Sequence, residues 1–286
     1  MMRSFLFVPG DSLHKFGRAR TGDADALILD LEDSVAANQK DAACEATREM
    51  LSAARNNQRL YVRINAFDTG RTLRDLAAVM PLRPDGIVLP KCESGADVAR
   101  LAYYLDSFEA VADDTAQPTQ IIGIATETAQ SIQGLNTYAS TSARLWGIMW
   151  GGEDLMASLG ATENNVDGAF TGPFQLARNL CLMGAAAAGI VAIDTVSTRI
   201  HDLNHVEAEA RAARRDGFAA KAVIHPSHVE IVNTAFTPTQ AEAEWAQKVM
   251  RAFQDNPDAG VVTIDGRMID KPHARAAGKI LAALAL

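Results

Sequence analysis

Short apolar runs recur along most of the chain, separated by longer stretches with helical spacing. The runs are SFLFV (4–8), ALILDL (26–31), LYVRIN (60–65), GIVLP (86–90), IIGIA (121–125), LWGIMW (145–150), GIVAI (189–193) and AVI (222–224). They do not alternate apolar with polar at period two, which suits parallel strands covered on both faces. Between them, KDAACEATREMLSAA (40–54), GADVARLAYYLDSF (95–108) and GPFQLARNLCLMGAAAA (172–188) read as helices, with Pro173 placed in a first turn.

Eight such strands alternating with helices predict an α/β fold, a (β/α)8 TIM barrel. A doubly wound sheet is the alternative. Against it, the segment after the first strand, VPGDSLHKFGRAR, lacks the three spaced glycines of a dinucleotide site. After the eighth strand, residues 237–253 read as a closing helix, with Thr237 as N-cap and Pro238 in its first position. QDNPDAG breaks that pattern. VVTIDGRMI then brackets Asp265-Gly266, a strong hairpin signal, and KPHARAAGKILAALAL forms a last helix. The expected division is a catalytic barrel domain over 1–254 and a hairpin-helix extension over 255–286. The extension is too small for a core of its own, so it is expected to pack on the barrel or on a neighbouring subunit.

Composition narrows the function. With 286 residues, 48% hydrophobic and 22% charged, the chain buries a full core without disulfides or a structural metal. A formal net charge of -8 with no basic stripe argues against nucleic acid or an anionic membrane as partner. The opening apolar run is too short for a signal peptide, and the longest, CLMGAAAAGIVAI, is too short to span a bilayer. Cys44, Cys92 and Cys181 are sparse and unpaired in spacing, as in a reducing compartment. A cytoplasmic location is expected.

In such a barrel the chemistry sits where strands run into their C-terminal loops. Those ends carry Asp30, Glu32 and Asp33, then Arg63, Lys91, Glu127, Glu153 with Asp154, Asp194 and His225. Singly, each has a plain structural reading. Asp33 and Asp154 suit helix caps, Asp30 a hydrogen-bond network, His225 a structural hydrogen bond and Cys92 a small buried residue. Together, carboxylates facing one cavity repel unless a cation intervenes. A hard divalent ion, Mg2+, held by Glu127 and Asp154 on adjacent strands and completed by water and substrate oxygens, meets that need. The glycines before Asp154 allow close approach.

The motifs RSFLFVPGD, DALILDLEDSV, YVRIN, DGIVLPKCES, IATETAQSI, WGGEDLMASLG, VAIDTV, KAVIHPSHVEIVN and GRMIDKP occur in that order over nearly the whole chain. As a set the chain resembles the citrate lyase beta-subunit-like family, within the malyl-CoA lyases and metal-dependent 2-oxo-acid aldolases. The resemblance implies a trimer or hexamer of barrels with Mg2+ on Glu127 and Asp154. It implies Arg63 beside the reacting carbonyls, with Glu32 and Asp33 orienting groups around the metal. Asp270 becomes an acid on a C-terminal lid that serves a neighbouring subunit, and Lys15 and Arg18 become contacts to CoA phosphates. The chain departs from the family pattern at Ala220, where a glycine often precedes the lysine. It departs again at Phe170-Thr171, where relatives commonly carry Arg-Thr; both changes are expected to bear on the substrate pocket.

The implied chemistry is Claisen-type cleavage or formation of a 3-hydroxyacyl-CoA thioester, such as malyl-CoA or citramalyl-CoA, with an acyl-CoA and a small 2-oxo acid as the other side of the reaction. Arg63 would stabilise the enolate oxygen and Asp270 would exchange the proton at the enolate carbon. The main alternative is a citrate lyase beta subunit taking its acyl group from a carrier protein. A CoA-independent pyruvate aldolase and a non-catalytic binding barrel are the others.

Overall fold

The computed structural model describes residues 2–111 and 117–284. Parallel strands β1 (Ser4–Pro9), β2 (Ala26–Asp30), β3 (Arg59–Arg63), β4 (Gly86–Leu89), β5 (Gln120–Ile124), β6 (Leu145–Met149), β7 (Val191–Asp194) and β8 (Ala220–Val223) close into a barrel in the order β1-β8-β7-β6-β5-β4-β3-β2. Helices α1 (Leu13–Ala19), α2 (Lys40–Ser52), α3 (Thr72–Val79), α4 (Gly95–Val111), α5 (Ala129–Gly134), α6 (Glu153–Leu159), α7 (Gly172–Ala188) and α8 (Leu203–Asp216) alternate with the strands, and α9 (Val229–Phe236) follows β8. This is the (β/α)8 architecture read from the apolar runs. Phe5, Ile28, Tyr61, Val88, Ile122 and Ile193 fill the barrel interior, each fully buried. The barrel is therefore a packed core, with chemistry confined to its rim.

The eighth strand begins two residues earlier than the run AVI indicates, because Lys221 lies inside it, 1% exposed. A charged residue is tolerated there because Asp194 and the Thr195 carbonyl accept from its ammonium at 2.8 and 2.7 Å. Ile224 consequently falls just beyond the strand.

The chain forms two compact units, Met2–Asn233 and the segment from Thr234 onward. In the second, α10 (Gln240–Asp255), the antiparallel hairpin of β9 (Val261–Ile264) and β10 (Arg267–Asp270), and α11 (Lys271–Leu284) surround a small core of Ala246, Val249, Ile269 and Ala277. Asp265 and Gly266 both take positive φ, 50° and 75°, as a type I′ turn requires. The extension does share a core, because α10 supplies half of it; the division thus falls at Thr234, where the sequence pattern put it after residue 254. The N-cap of α10 is Thr239, not Thr237. Glu242 stands three residues on and completes a two-way capping box with it. Among the described residues no helix is long and apolar enough to cross a membrane.

Candidate active site

The site is built outward from the end of β2. Asp30 and Arg63 are register partners on neighbouring parallel strands. Their side chains meet in a two-pronged pair, Arg63 Nε donating to Oδ1 at 2.6 Å and Nη2 to Oδ2 at 2.7 Å. The backbone N–H groups of Glu32 and Ser34 also donate to the Asp30 carboxylate, at 2.9 and 3.1 Å, so one acid fixes both the arginine and the following loop. Burial pushes the Asp30 pKa up, but the Arg63 bond and charge outweigh it and hold the carboxyl below its usual range. The third nitrogen of the guanidinium, Nη1, lies 2.9 Å from Glu32 Oε2 and 3.9 Å from Asp33. That Glu32 oxygen is buried yet has no hydrogen-bond partner of good alignment.

Lys91 is the hinge between the second and fifth strand ends. It adopts φ 48°, a left-handed conformation uncommon for a residue with a side chain. This turns its backbone N–H onto Glu127 Oε2, while its ammonium donates to Glu32 Oε1 at 2.7 Å and stands 3.8 Å from Asp154. Glu127 itself is 3% exposed. Burial pushes its pKa up to about 8, with Glu32 and Asp154 adding to the rise and the Lys91 N–H and Arg63 only partly opposing it. Thr128, not Glu127, caps α5, through a capping box with Ser131, so the glutamate is left to face the cavity.

Of the two acids after β6, Glu153 accepts from Asn164 at 2.8 Å. Asp154 lies in the first turn of α6, whose cap position is Gly152 with no side-chain cap. Nor is Asp33 a helix cap: it sits in the loop at the cavity edge, and the next helical turn is preceded by Ala36. Gly151 is where the segment can come close. A Cβ there would stand 2.9 Å from Glu127 Cγ and fill the space around the carboxylate.

These groups open on a cavity of about 410 Å³. Asp33, Arg63, Glu127 and Asp154 line it directly, and Glu32 adjoins through its pairs with Arg63 and Lys91. Other expected residues lie elsewhere. Asp194 does not join the rim acids. It is sealed behind them, bonded to Lys221, to Arg178 Nε at 3.2 Å and to Trp150 Nε1 at 2.8 Å. Its neighbours Thr195 and Val196 line the cavity instead. His225 caps the short turn after β8, accepting from the Ser227 N–H. Ala220 is fully buried in the barrel core, so its exchange for glycine bears on packing rather than on the pocket. Phe170 packs edge-on against Trp150, which does line the cavity. Lys15 and Arg18 are exposed on α1 and are not among the lining residues. Asp270 lies in the C-terminal unit, its carboxylate 2.6 Å from His273 Nδ1, a bond that holds its pKa below the usual range. Burial pushes the Cys92 thiol up to about 12, which removes it as a nucleophile.

The sequence puts Asp30 in a hydrogen-bond network, which the clamp on Arg63 supplies, and Lys91 at a strand end without its link to Glu127; the place of Trp150 in the cavity wall is missed. For Trp150 the signal was present, an aromatic residue directly before Gly-Gly at a strand end. For Lys91 there was none, since its positive φ leaves no trace in composition.

The donor set suits a hard divalent cation. Two carboxylates converge on one opening, one of them buried and in need of a countercharge, beside a glycine that leaves room. Among the described residues no group of three or more His, Cys, Asp or Glu is placed to hold a metal by itself. A site completed by water and ligand oxygens is therefore the arrangement that fits.

Comparison with known proteins gives the family. The HpcH/HpaI aldolase/citrate lyase family model matches residues 3–226. A citrate lyase subunit beta-like protein of Mycobacterium tuberculosis is 35% identical over 269 residues, 94% of this chain and 90% of that protein. A (3S)-malyl-CoA thioesterase of Cereibacter sphaeroides is 33% identical over 283 residues, 98% of this chain and 93% of that protein. The crystal structure of protein CitE from Mycobacterium tuberculosis, in complex with magnesium, acetoacetate and coenzyme A, matches with a TM-score of 0.82 at 33% identity, covering 99% of this chain and 98% of that one. The chain belongs to the HpcH/HpaI aldolase/citrate lyase family of carbon–carbon lyases.

Proposed function

We propose that the protein is a magnesium-dependent lyase that cleaves, or in reverse forms, the C2–C3 bond of a 3-hydroxyacyl-CoA thioester such as malyl-CoA or citramalyl-CoA, with an acyl-CoA and a 2-oxo acid as products. The observation that carries this reading is Glu127, a buried carboxyl with its pKa pushed up to about 8, set beside Asp154 on a cavity that Arg63 also lines. Support comes also from the CitE structure that holds magnesium, acetoacetate and coenzyme A together.

Glu127 and Asp154 would hold the ion. When bound it supplies Lewis-acid stabilisation of negative charge on substrate oxygen, worth several kcal/mol. Lys91 keeps Glu127 aimed through its backbone N–H and balances Glu32 with its ammonium. Arg63 is held rigid by Asp30 and presents fixed positive charge to the enolate oxygen that forms as the C–C bond breaks. Such charge acts without reorganising during the reaction, which is the source of its effect. In condensation Asp270 would remove the proton from the acyl-CoA carbon, and in cleavage it would carry back to that carbon the proton given up by the C3 hydroxyl, from a C-terminal unit serving a neighbouring copy. An aspartate is ionised at neutral pH, the state a base needs in condensation, and the His273 bond lowers its pKa further. Lys15 and Arg18 would meet CoA phosphates. A homotrimer or hexamer and a cytoplasmic setting complete the reading; the three cysteines are all unpaired.

The test is to incubate the full chain with malyl-CoA and citramalyl-CoA, with magnesium and after exhaustive chelation, and to identify the products. Acetyl-CoA plus glyoxylate or pyruvate, formed only with the metal, is the expected result. Free CoA plus the intact hydroxy acid would mean thioester hydrolysis, the activity for which the Cereibacter relative is named. Turnover restricted to a carrier-protein citryl thioester would assign the chain to a citrate lyase complex.

A further inference from the structure

The outer face of the C-terminal hairpin carries more than a single acid. In the antiparallel register Val261 pairs with Asp270 and Thr263 with Met268, so these four share one side. The other side, with Val262, Ile264 and Ile269, packs into the unit's own core. Met268 and Val261 are 68% and 51% exposed. Asp270 therefore stands on an apolar surface turned away from that core.

His273 holds the acid in place. Its Nδ1 lies 2.6 Å from Asp270 Oδ1, and its backbone N–H reaches the same oxygen at 3.4 Å. An ionised carboxylate can only accept, so Nδ1 carries the hydrogen. The Asp270 N–H also approaches Nδ1, at 3.3 Å, and is the weaker contact. Asp270 directly precedes α11 and His273 is the third residue of that helix, which is capping-box spacing. Glutamate or glutamine is the usual partner there, accepting from the backbone N–H of the cap. An imidazole that donates to the cap's carboxylate ties down Oδ1 instead. Pro272, between the two, fixes its own φ and stiffens the link. Among the described residues Oδ2 accepts no hydrogen bond, so one basic oxygen is left, aimed in a set direction.

Resting on the reading of Asp270 as proton carrier, we infer that His273 is a positioning residue, whose Nδ1–H holds the carboxylate so that Oδ2 meets the acyl-CoA carbon. In condensation the C–H proton passes to Oδ2 and its electron pair stays on that carbon as the enolate. His273 keeps its own proton throughout. A carboxylate free to rotate would present either oxygen in many directions, and the loss would fall on the chemical step rather than on binding.

The test compares three variants of the full, magnesium-loaded chain in turnover of malyl-CoA and citramalyl-CoA. His273→Ala should lower kcat about 10-fold and leave KM within about 2-fold. His273→Gln, whose amide can donate to Oδ1, should recover most of that rate. His273→Glu can still accept from the cap's N–H, so its melting temperature should match that of His273→Gln, but its carboxylate repels Asp270 and kcat should stay low. Nitrogen NMR of isotope-labelled histidine at alkaline pH should show His273 as the Nδ1–H tautomer, a preference lost in Asp270→Ala. A wild-type kcat in His273→Ala, equal rates in the Gln and Glu variants, or an Nε2–H tautomer in the wild type overturns the inference. If Asp270→Ala is inactive while His273→Ala is not, the inference falls and the lyase reading stands. If the wild type turns over neither thioester, the lyase reading fails and His273 is left as a helix cap.

Discussion

Two groups of charge lie near the strand ends of this barrel, and they are balanced in opposite ways. Around Asp194 the charges close on themselves. Lys221, Arg178 and the Trp150 N–H all converge on one carboxylate, and Asp216 takes the far side of Arg178 at 2.8 Å. Burial alone would push the Asp194 pKa up, but the two cations outweigh it and hold it low. Around Glu127 the balance fails: Lys91 and Arg63 are spent on Glu32 and Asp30, and Glu127 is left with one backbone N–H and a raised pKa. Acids at the strand ends do not by themselves make a site. The closed group holds a wall in place, and the unbalanced one retains an unmet demand for positive charge that a ligand can satisfy.

The largest effect that tests this contrast belongs to the unbalanced group. Asp154→Ala should lower magnesium-dependent turnover by at least 10²–10³-fold, on the order of what removal of one preorganised electrostatic group does. Its melting temperature should hold, because the residue is partly exposed and caps nothing. Full activity after exhaustive chelation would remove the metal from the account. Asp194→Ala should do the reverse, destabilising the fold by about 3–5 kcal/mol by leaving buried cations uncompensated. Urea unfolding measures it; a loss below about 1 kcal/mol would mean that surface-like screening operates there. Arg63→Lys should be next, lowering kcat by about 10²-fold, since a lysine cannot reproduce the two-pronged grip of Asp30 that fixes the charge. A change confined to KM would reassign Arg63 to ground-state binding.

What the sequence reveals of this contrast depends on whether the partners are close in the chain. The barrel was legible because each buried strand announces itself as an apolar run. The C-terminal turn was legible because Asp265-Gly266 satisfies two positive φ angles locally. Glu127 and Asp154 could be paired because strand order puts successive loops side by side. The closed group was not legible. Lys221, Arg178 and Trp150 stand 27, 16 and 44 residues from Asp194, and only the closed barrel brings them to it. Asp194 therefore read as one more rim acid. The inclusion of α10 in the C-terminal core escaped for the same reason, since its apolar face names no partner.

The smallest effect is also the sharpest, because the two groups should bend stability against pH in opposite directions. The folded-state pKa of Glu127 is about 8, against an ordinary 4.5. Between those values the metal-free folded protein keeps a proton that the unfolded chain has lost. Stability should therefore fall as pH rises through that window. Asp194 is depressed below its ordinary 3.8, so its contribution is complete above that pH and disappears as pH falls through its folded value. Thermal melts across pH should show the acid limb in both wild type and Glu127→Gln, and the neutral limb in wild type alone. Magnesium binds the ionised carboxylate, so it should flatten the neutral limb of the wild type and leave the acid limb unchanged. A neutral limb that persists in Glu127→Gln would place the unmet charge on another residue, and the distinction between a closed group and an open one would then have to be redrawn around it.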